Sequence, residues 1–588
     1  MLLRAGSNRL WSLEFTATAA VMQRLHQETR QMLAGFVSWP AEDVTRWKNA
    51  GYREGRCVAD IVRDTAARRP DKVAVIEGQR RLSYAQLAGQ VDRLAIELKR
   101  TGLKPLDRVV MQLPNSIEFV VSFLALMRLG AIPVMALRAH RYSEIKHFID
   151  ASGAVAYMVP GVFHQFDYRQ LANEIQGACS TLTHVFVLED ALPGQHALGS
   201  LIERAAQTQA SLQDTEGVVL DAADPSQVAL MLLSGGTTSL SKLIPRTHDD
   251  YVLNARLCAN AAGFDEHTVF LALLPLGHNY NLAAPGMLGV FYYGGTLVIG
   301  HGTDADHVFP LVQQHRVSVI AAAVPLITNW LNSDAASRFD LSSLRVVQNG
   351  GAALAPELRG RIRSQWGATP QEIYGTAEGL INMTRLDDPD ELLFKSSGAP
   401  VCDDDEIKVV DDEGRELPDG ELGELLTRGP YTIRGYFSAP EKNREAFTED
   451  GWYRMGDYVR KRGRYVYAEG RKKDLINRGG EKISCEEIEN LIFKHPKVEQ
   501  VALVAMPDPV FGEKACAFVV SKPGERLEFD ELIGFLKSQR IASFKLPERL
   551  ELVDHFPTSL VGKILKRQLR DQIAERIRTE AAAHTAKN

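Results

Sequence analysis

The sequence predicts an α/β protein in which β-α layered lobes and a small β-rich lobe form a large N-terminal region, followed by a smaller α+β C-terminal domain. Three observations predict it. The chain has 588 residues, far beyond the size at which one hydrophobic core stops growing, so it divides into domains. From about 220 to 370, short apolar runs alternate with longer amphipathic ones, the pattern of a partly parallel sheet covered by helices. After about 407 the runs become short and alternating, split by Gly and Asp turns, and beyond Arg471 a charged loop rich in Gly and Lys opens a third texture.

In chain order, residues 1–35 carry Arg4, Arg9 and Glu14 before any apolar stretch of signal-peptide length, and read as an irregular leader with Met22 or Met32 as alternative starts. The run from Phe119 to Leu137 is the most apolar, but Arg128 and Pro133 interrupt it, so it is core and not a bilayer span. In the layered lobe the expected strands are Val228–Leu233, Val269–Leu274, Thr296–Ile299 and Val317–Val324, with helices at His307–His315 and Pro356–Trp366. The β-rich lobe runs from Ile407 to Tyr467 around turns such as Asp411-Asp412-Glu413-Gly414 and Glu449-Asp450-Gly451, closing a main region of 36–472. The C-terminal domain, 473–575, combines helix Glu486–Lys494, strands Val498–Met506 and Cys516–Val520, and helix Phe529–Gln539, leaving 576–588 as a frayed tail.

Lys and Arg number 68 against 74 Asp and Glu, a net charge of -6, which supplies no basic footprint for nucleic acid or an anionic membrane surface. The six cysteines are scattered without a CxxC or metal knuckle, which fits a reduced, cytoplasmic chain.

Ligands of layered sheets gather at the loops that follow strands. The loop after Val228–Leu233 reads Ser234-Gly235-Gly236-Thr237-Thr238-Ser239-Leu240-Ser241-Lys242. Its paired glycines let backbone N–H groups approach a phosphate, its hydroxyls add donors, and Lys242 adds charge. It is not a P-loop, because that motif needs a Gly directly before the Lys, where Ser241 stands. A turn of this composition also serves as a plain connection, so its neighbours decide.

Five further segments follow in order: Tyr374-Gly375-Thr376-Ala377-Glu378, Tyr453-Arg454-Met455-Gly456-Asp457, Gly470-Arg471-Lys472-Lys473-Asp474, Asn477-Arg478-Gly479-Gly480-Glu481-Lys482 and Pro557-Thr558-Ser559-Leu560-Val561-Gly562-Lys563. With the loop, they resemble the adenylate-forming superfamily of acyl and aryl acid ligases over about residues 36–575. Leu274-Pro275-Leu276-Gly277-His278-Asn279-Tyr280, Arg385-Leu386-Asp387-Asp388 and the run from Thr427 to Tyr436 resemble, more narrowly, the stand-alone aryl acid:AMP ligases that activate 2,3-dihydroxybenzoate or salicylate for siderophore assembly.

The resemblance implies an ATP site built from Ser234, Gly235, Gly236, Thr237, Thr238, Lys242, Gly350, Gly351, Tyr374, Gly375, Asp457 and Arg471, with Asp457 accepting from the ribose hydroxyls. It implies catalytic roles for Lys563, Glu378, Thr376 and His278, with Glu378 orienting Mg²⁺ and Lys563 bridging the acid carboxylate and the α-phosphate. Attack of a carboxylate on the α-phosphorus expels pyrophosphate, so positioning and charge stabilisation carry most of the catalysis. A catalytic lysine on the terminal domain implies that this domain rotates about a hinge at Lys473 to admit a thiol, with Gly479 and Gly480 lining the path of a phosphopantetheine arm.

For the acid, the resemblance implies that Asn279 bonds an ortho substituent and that Tyr280 and His278 flank the ring, with Ala284 and Asn349 at two further positions. Dihydroxybenzoate and salicylate enzymes tend to have Ser or Cys at the first and an aliphatic residue at the second, and this chain has neither. The departure predicts a ring bearing a heteroatom or an amino group, such as a 3-hydroxypicolinate or an aminobenzoate. Ser239 and Ser241 replace the Gly and Pro usual in the phosphate loop, which predicts slower catalysis or weaker ATP binding.

The expected function is Mg-ATP-dependent formation of an aryl-adenylate, then transfer to the phosphopantetheine thiol of a separate aryl carrier protein in siderophore or nonribosomal peptide synthesis. Two alternatives stay open. One is an aryl-CoA ligase that uses free coenzyme A. The other is a degenerate, non-catalytic binder of aryl acid or nucleotide, favoured by Ser239 and Ser241 and opposed by Lys563, Glu378 and Asp457.

Overall fold

The computed structural model describes residues 32–207, 220–234, 241–471, 475–478, 481–539, 541–559 and 563–585. Two large sheets form its body. The nine-stranded sheet has six neighbouring parallel strands, in the order Thr369–Thr376, Val346–Gly350, Val319–Ala322, Val269–Ala272, Thr296–Ile299 and Val73–Glu77. Antiparallel strands Gly379–Met383 and Arg80–Ser83 flank this core. The seven-stranded sheet runs Leu243–Thr247, Val228–Leu233, Ile132–Met135, Arg108–Met111, Ala156–Val159, His184–Val187 and His196–Ala197, with only its first pair antiparallel.

One core cluster joins residues of both sheets and the helices between them, and a separate cluster covers the other face of each sheet. The run flagged as core from composition becomes helix Ile117–Leu129, in which every residue except Glu118 and Arg128 is buried. A helix apolar on all sides must be enclosed on all sides. Ser116 Oγ accepts from the Phe119 N–H to start it, and Gly130 at φ 78° ends it. Among the described residues no helix is long and apolar enough to cross a membrane, and all six cysteines are buried and free.

The expected β-rich lobe is a four-stranded antiparallel sheet, Glu406–Val410, Leu422–Arg428, Tyr453–Arg462 and Tyr465–Arg471. Residues 475 onward form a five-stranded sheet with helices Cys485–Ile492 and Phe529–Ser538. The first of these helices packs on Tyr465–Arg471 of the main body, where Ser484 Oγ donates to the Glu469 carbonyl at 2.9 Å. The expected tail from 576 is instead the second half of helix Lys566–Thr585, held by Leu569 and Ile573 in the core and by an Arg549–Glu580 ion pair at 2.6 Å. The seven-stranded sheet is the main feature that sequence periodicity left undivided.

Candidate active site

The candidate residues converge at the C-terminal ends of parallel strands, where Val228–Leu233 runs into Ser234, Val346–Gly350 into Gly351, and Thr369–Thr376 into Glu378. The Ser234–Lys242 segment is closed at its base twice: the Ser234 N–H donates to the Lys242 carbonyl at 3.0 Å, and the Lys242 N–H to Ser234 Oγ at 2.9 Å. A third tie comes from helix Tyr142–Ser152, whose His147 Nε2 lies 2.9 Å from the Ser241 carbonyl. Gly235, Gly236, Thr237, Thr238 and Ser239 lie outside the described residues.

Lys242 extends over the face of Tyr436, its Nζ 4.2 Å from the ring centroid. The Tyr436 hydroxyl donates to Glu378 Oε1 at 2.9 Å and lies 3.4 Å from the Tyr453 hydroxyl. Burial draws the Lys242 amine below the usual lysine value although the Glu378 charge opposes it. A partly desolvated cation faces a buried carboxylate, Glu378 being 7% exposed. Thr376 Oγ1 is buried without a hydrogen-bond partner among the described residues.

The turn that presents Glu378 is strapped by the motif between Thr427 and Tyr436. Ile433 N–H donates to the Glu378 carbonyl at 2.8 Å, and Leu380 N–H to Thr432 Oγ1 at 3.3 Å. The Thr432 carbonyl accepts from Trp39 Nε1 at 2.8 Å. From the other side, the fully buried Arg246 donates to the Ala377 carbonyl at 3.0 Å and pairs with Asp250 at 2.7 Å. Arg246 was not named from the sequence, and Tyr436 and Tyr453 were named there only as the ends of motifs, with no role given to either.

A second group lies beside the first. Asp457 accepts from the Tyr374 hydroxyl at 2.9 Å and pairs with Arg471 Nε at 3.0 Å. The Asp457 charge raises the Arg471 pKa, with Tyr453, Tyr374 and Glu378 adding to the effect, so the two groups form one electrostatic site. Gly375 packs too tightly for a side chain, since a Cβ there would stand 2.3 Å from the Leu380 carbonyl.

The acid-binding candidates sit on helix Asn279–Ala283, capped by His278, whose Nδ1 accepts from the Tyr280 N–H at 3.3 Å. Burial pushes the His278 imidazole down to about 4, so it is neutral at pH 7 and carries its proton on Nε2. The Tyr280 ring lies against Gly350, where an added Cβ would meet Cζ at 3.0 Å. Gly351 follows at φ 87°. Ala284 is buried directly after the helix. Helix His248–Ala261 organises this corner: Tyr251 donates to Asn279 Oδ1 at 2.8 Å, and Asn254 Nδ2 donates to the Ala283 carbonyl at 2.6 Å.

Asn349 takes another direction. In the strand register it stands opposite Ala322 and Glu372, on the face it shares with Val347, whereas Gly350 aligns with Ile373 on the face toward Tyr280. Its Nδ2 donates to Glu372 at 3.0 Å and to the Ala352 carbonyl at 2.7 Å, and Glu372 pairs with buried Arg359 at 3.1 Å. Its Oδ1 is buried without a hydrogen-bond partner among the described residues.

Lys563 is exposed in the C-terminal unit, where its N–H donates to Ser559 Oγ at 3.1 Å. The pocket described here is assembled from main-body residues. Lys473, Gly479 and Gly480 lie outside the described residues.

Comparison with known proteins matches residues 62–437 to the family "AMP-binding enzyme" and 487–563 to "AMP-binding enzyme C-terminal domain". A 2,3-dihydroxybenzoate-AMP ligase of Bacillus subtilis (strain 168) is 43% identical over 93% of this chain and 99% of its own. A salicylyl-CoA synthase / salicylate adenylyltransferase of a Streptomyces species is 44% identical over 92% and 98%. The apo structure of MbtA from Mycobacterium smegmatis superposes with a TM-score of 0.70 at 38% identity, covering 92% of this chain and 100% of that one. The chain belongs to the adenylate-forming AMP-binding enzymes and, within them, to the aryl acid ligases.

Proposed function

We propose that this protein is a cytoplasmic enzyme that uses Mg-ATP to activate an ortho-hydroxylated benzoic acid as its acyl-adenylate and hands the aryl group to the phosphopantetheine thiol of a separate carrier protein, in siderophore or related nonribosomal peptide assembly. The observation that carries the reading is the Lys242–Tyr436–Glu378 group beside Asp457–Arg471, together with the buried Asn279 and the Tyr280 ring packed on Gly350.

In the first half-reaction a carboxylate oxygen of the acid attacks the α-phosphorus, the bond to the bridging oxygen breaks, and its electron pair leaves with pyrophosphate. Lys242 offers its ammonium to the phosphate oxygens, and its seat over Tyr436 keeps that charge oriented before the nucleotide arrives. Asp457, held by Tyr374 and Arg471, presents its remaining lone pairs to the ribose hydroxyls. Neutral His278 donates from Nε2 to an anionic oxygen. Lys563 enters from the C-terminal domain to join the carboxylate and the α-phosphate, and its domain then turns to admit the thiol. The sulfur attacks the acyl carbon, a thioester forms, AMP leaves, and the thiol proton passes to solvent.

The donors suit a hard divalent cation, since Glu378 and the unpartnered Thr376 hydroxyl are oxygen ligands and Mg²⁺ takes one or two protein oxygens together with substrate phosphates. Bound there, the ion would neutralise charge on the phosphates. Glu378 would hold it, fixed by the Tyr436 hydroxyl and by the strap at Thr432 and Ile433.

ATP–pyrophosphate exchange tests the reading with salicylate, 2,3-dihydroxybenzoate and benzoate. Exchange that depends on acid and Mg²⁺, and is lost in Lys563→Ala with acid binding retained, is the expected result. No exchange with any aryl acid sinks it in favour of a binder. Turnover with free coenzyme A that matches turnover with a phosphopantetheinylated carrier assigns the acceptor to coenzyme A instead.

A further inference from the structure

One of the acid-binding candidates is a buried amide whose polarity is set from behind. Asn279 is 7% exposed, and its Oδ1 accepts the Tyr251 hydroxyl at 2.8 Å. Its Nδ2 has no partner among the described residues. Oxygen and nitrogen of an amide exchange places by a half-turn, so the orientation needs a physical reason. Tyr251 supplies it. The residue is fully buried, Arg246 lies over its ring at 5.0 Å, and Asn279 Oδ1 is the one acceptor its hydroxyl has among the described residues. Turning the amide would strand the phenol proton, and a buried donor left unpaired is costly. Burial also raises the phenol pKa, which keeps that proton in place.

We propose that Tyr251 is a specificity-determining positioning residue: by holding Asn279 Oδ1 it leaves only the Nδ2 donor for the substrate, so the site takes acids with an ortho oxygen and rejects those with an ortho amino group. This rests on the aryl acid reading above. An ortho hydroxyl donates its proton to the neighbouring carboxylate and offers its oxygen to Nδ2. An ortho amine also donates one hydrogen to the carboxylate, but its second hydrogen then faces Nδ2. Its lone pair is spread into the ring and accepts poorly. Two donors meet at a buried amide, a worse arrangement than no ortho group at all. The consequence is an order that simple fit does not give: salicylate above benzoate, and benzoate above anthranilate (2-aminobenzoate).

The test is kcat/KM for these three acids in ATP–pyrophosphate exchange, on the full-length protein and on Tyr251→Phe. The wild type is expected to place anthranilate below benzoate, with salicylate leading anthranilate by about 100-fold or more. Tyr251→Phe keeps the ring and frees the amide to turn, so the salicylate to anthranilate ratio should shrink about tenfold or more while the KM for ATP stays put. A thermal melt checks that the variant is folded. If it is not, the wild-type order decides alone. Anthranilate equal to or better than benzoate in the wild type, or an unchanged ratio in folded Tyr251→Phe, overturns the proposal while exchange with salicylate leaves the ligase reading standing. No exchange with any of the three fails that broader reading instead.

Discussion

Replacing Tyr436 by Phe removes a single oxygen from the seam between cation and carboxylate. The ring on which Lys242 rests at 4.2 Å remains, so the loss falls on the 2.9 Å bond to Glu378. Hydrogen bonds to charged groups contribute about 1.5–3 kcal/mol. At about 1.4 kcal/mol per factor of ten, that corresponds to a fall of roughly 10- to 150-fold in kcat/KM for Mg-ATP. The Tyr453 hydroxyl stands 3.4 Å from the lost oxygen and partly replaces it, which favours the lower end. Exchange kinetics should be measured over a Mg²⁺ titration, because a carboxylate held less firmly demands more metal for half-saturation. Tyr436→Ala should lose more, as the cation–π seat disappears and a cavity opens. Were Tyr436→Phe to match the wild type in both kcat/KM and Mg²⁺ demand, the argument that this phenol orients Glu378 would be refuted.

Gly350→Ala puts a methyl 3.0 Å from Tyr280 Cζ, and the expected outcome is a KM for the aryl acid raised about 5- to 100-fold, measured by exchange at saturating ATP, with an unchanged KM contradicting the Tyr280 contact. His147→Ala should raise the KM for ATP about 2- to 10-fold without affecting the acid, and His147→Gln, whose Nε2 reaches a similar point, should restore it; equal kinetics in all three would remove the tie to Ser241 from the account. Asp405, buried with Oδ1 unpartnered and Tyr431 donating to Oδ2 at 2.6 Å, is pushed up to about 7 by burial. Its folded pKa exceeds the unfolded value, so its contribution to stability is whole below about pH 4 and is lost as pH rises through 7. Melting temperatures should therefore fall between pH 5 and pH 8 more in the wild type than in Asp405→Asn, and parallel curves would contradict the assignment.

The Ser234–Lys242 loop, the Glu378 turn and Asp457 could be named in the sequence because each sits in a short contiguous motif that carries the resemblance to the family. Their supports could not be. Tyr436 reaches Glu378 across 58 residues of chain, and Arg246 reaches Ala377 across 131. A faint signal for the helix behind Asn279 did exist: Tyr251, Asn254 and Cys258 recur at helical spacing on one buried face. For Asn349 the position beside Gly350-Gly351 was readable in the sequence, but not its bond to Glu372, 23 residues on in the neighbouring strand, nor the buried Oδ1 left without a partner among the described residues. The layered lobe was predicted where strands and helices alternate cleanly, and missed before 207, where buried helices are as apolar as the strands they cover.

The bond from Trp39 to the Thr432 carbonyl joins positions 393 apart. A growing polypeptide must therefore be about three-quarters synthesised before the loop behind Glu378 can acquire this backing. A nascent chain arrested before Thr432 would fold much of its interior and still bind ATP poorly.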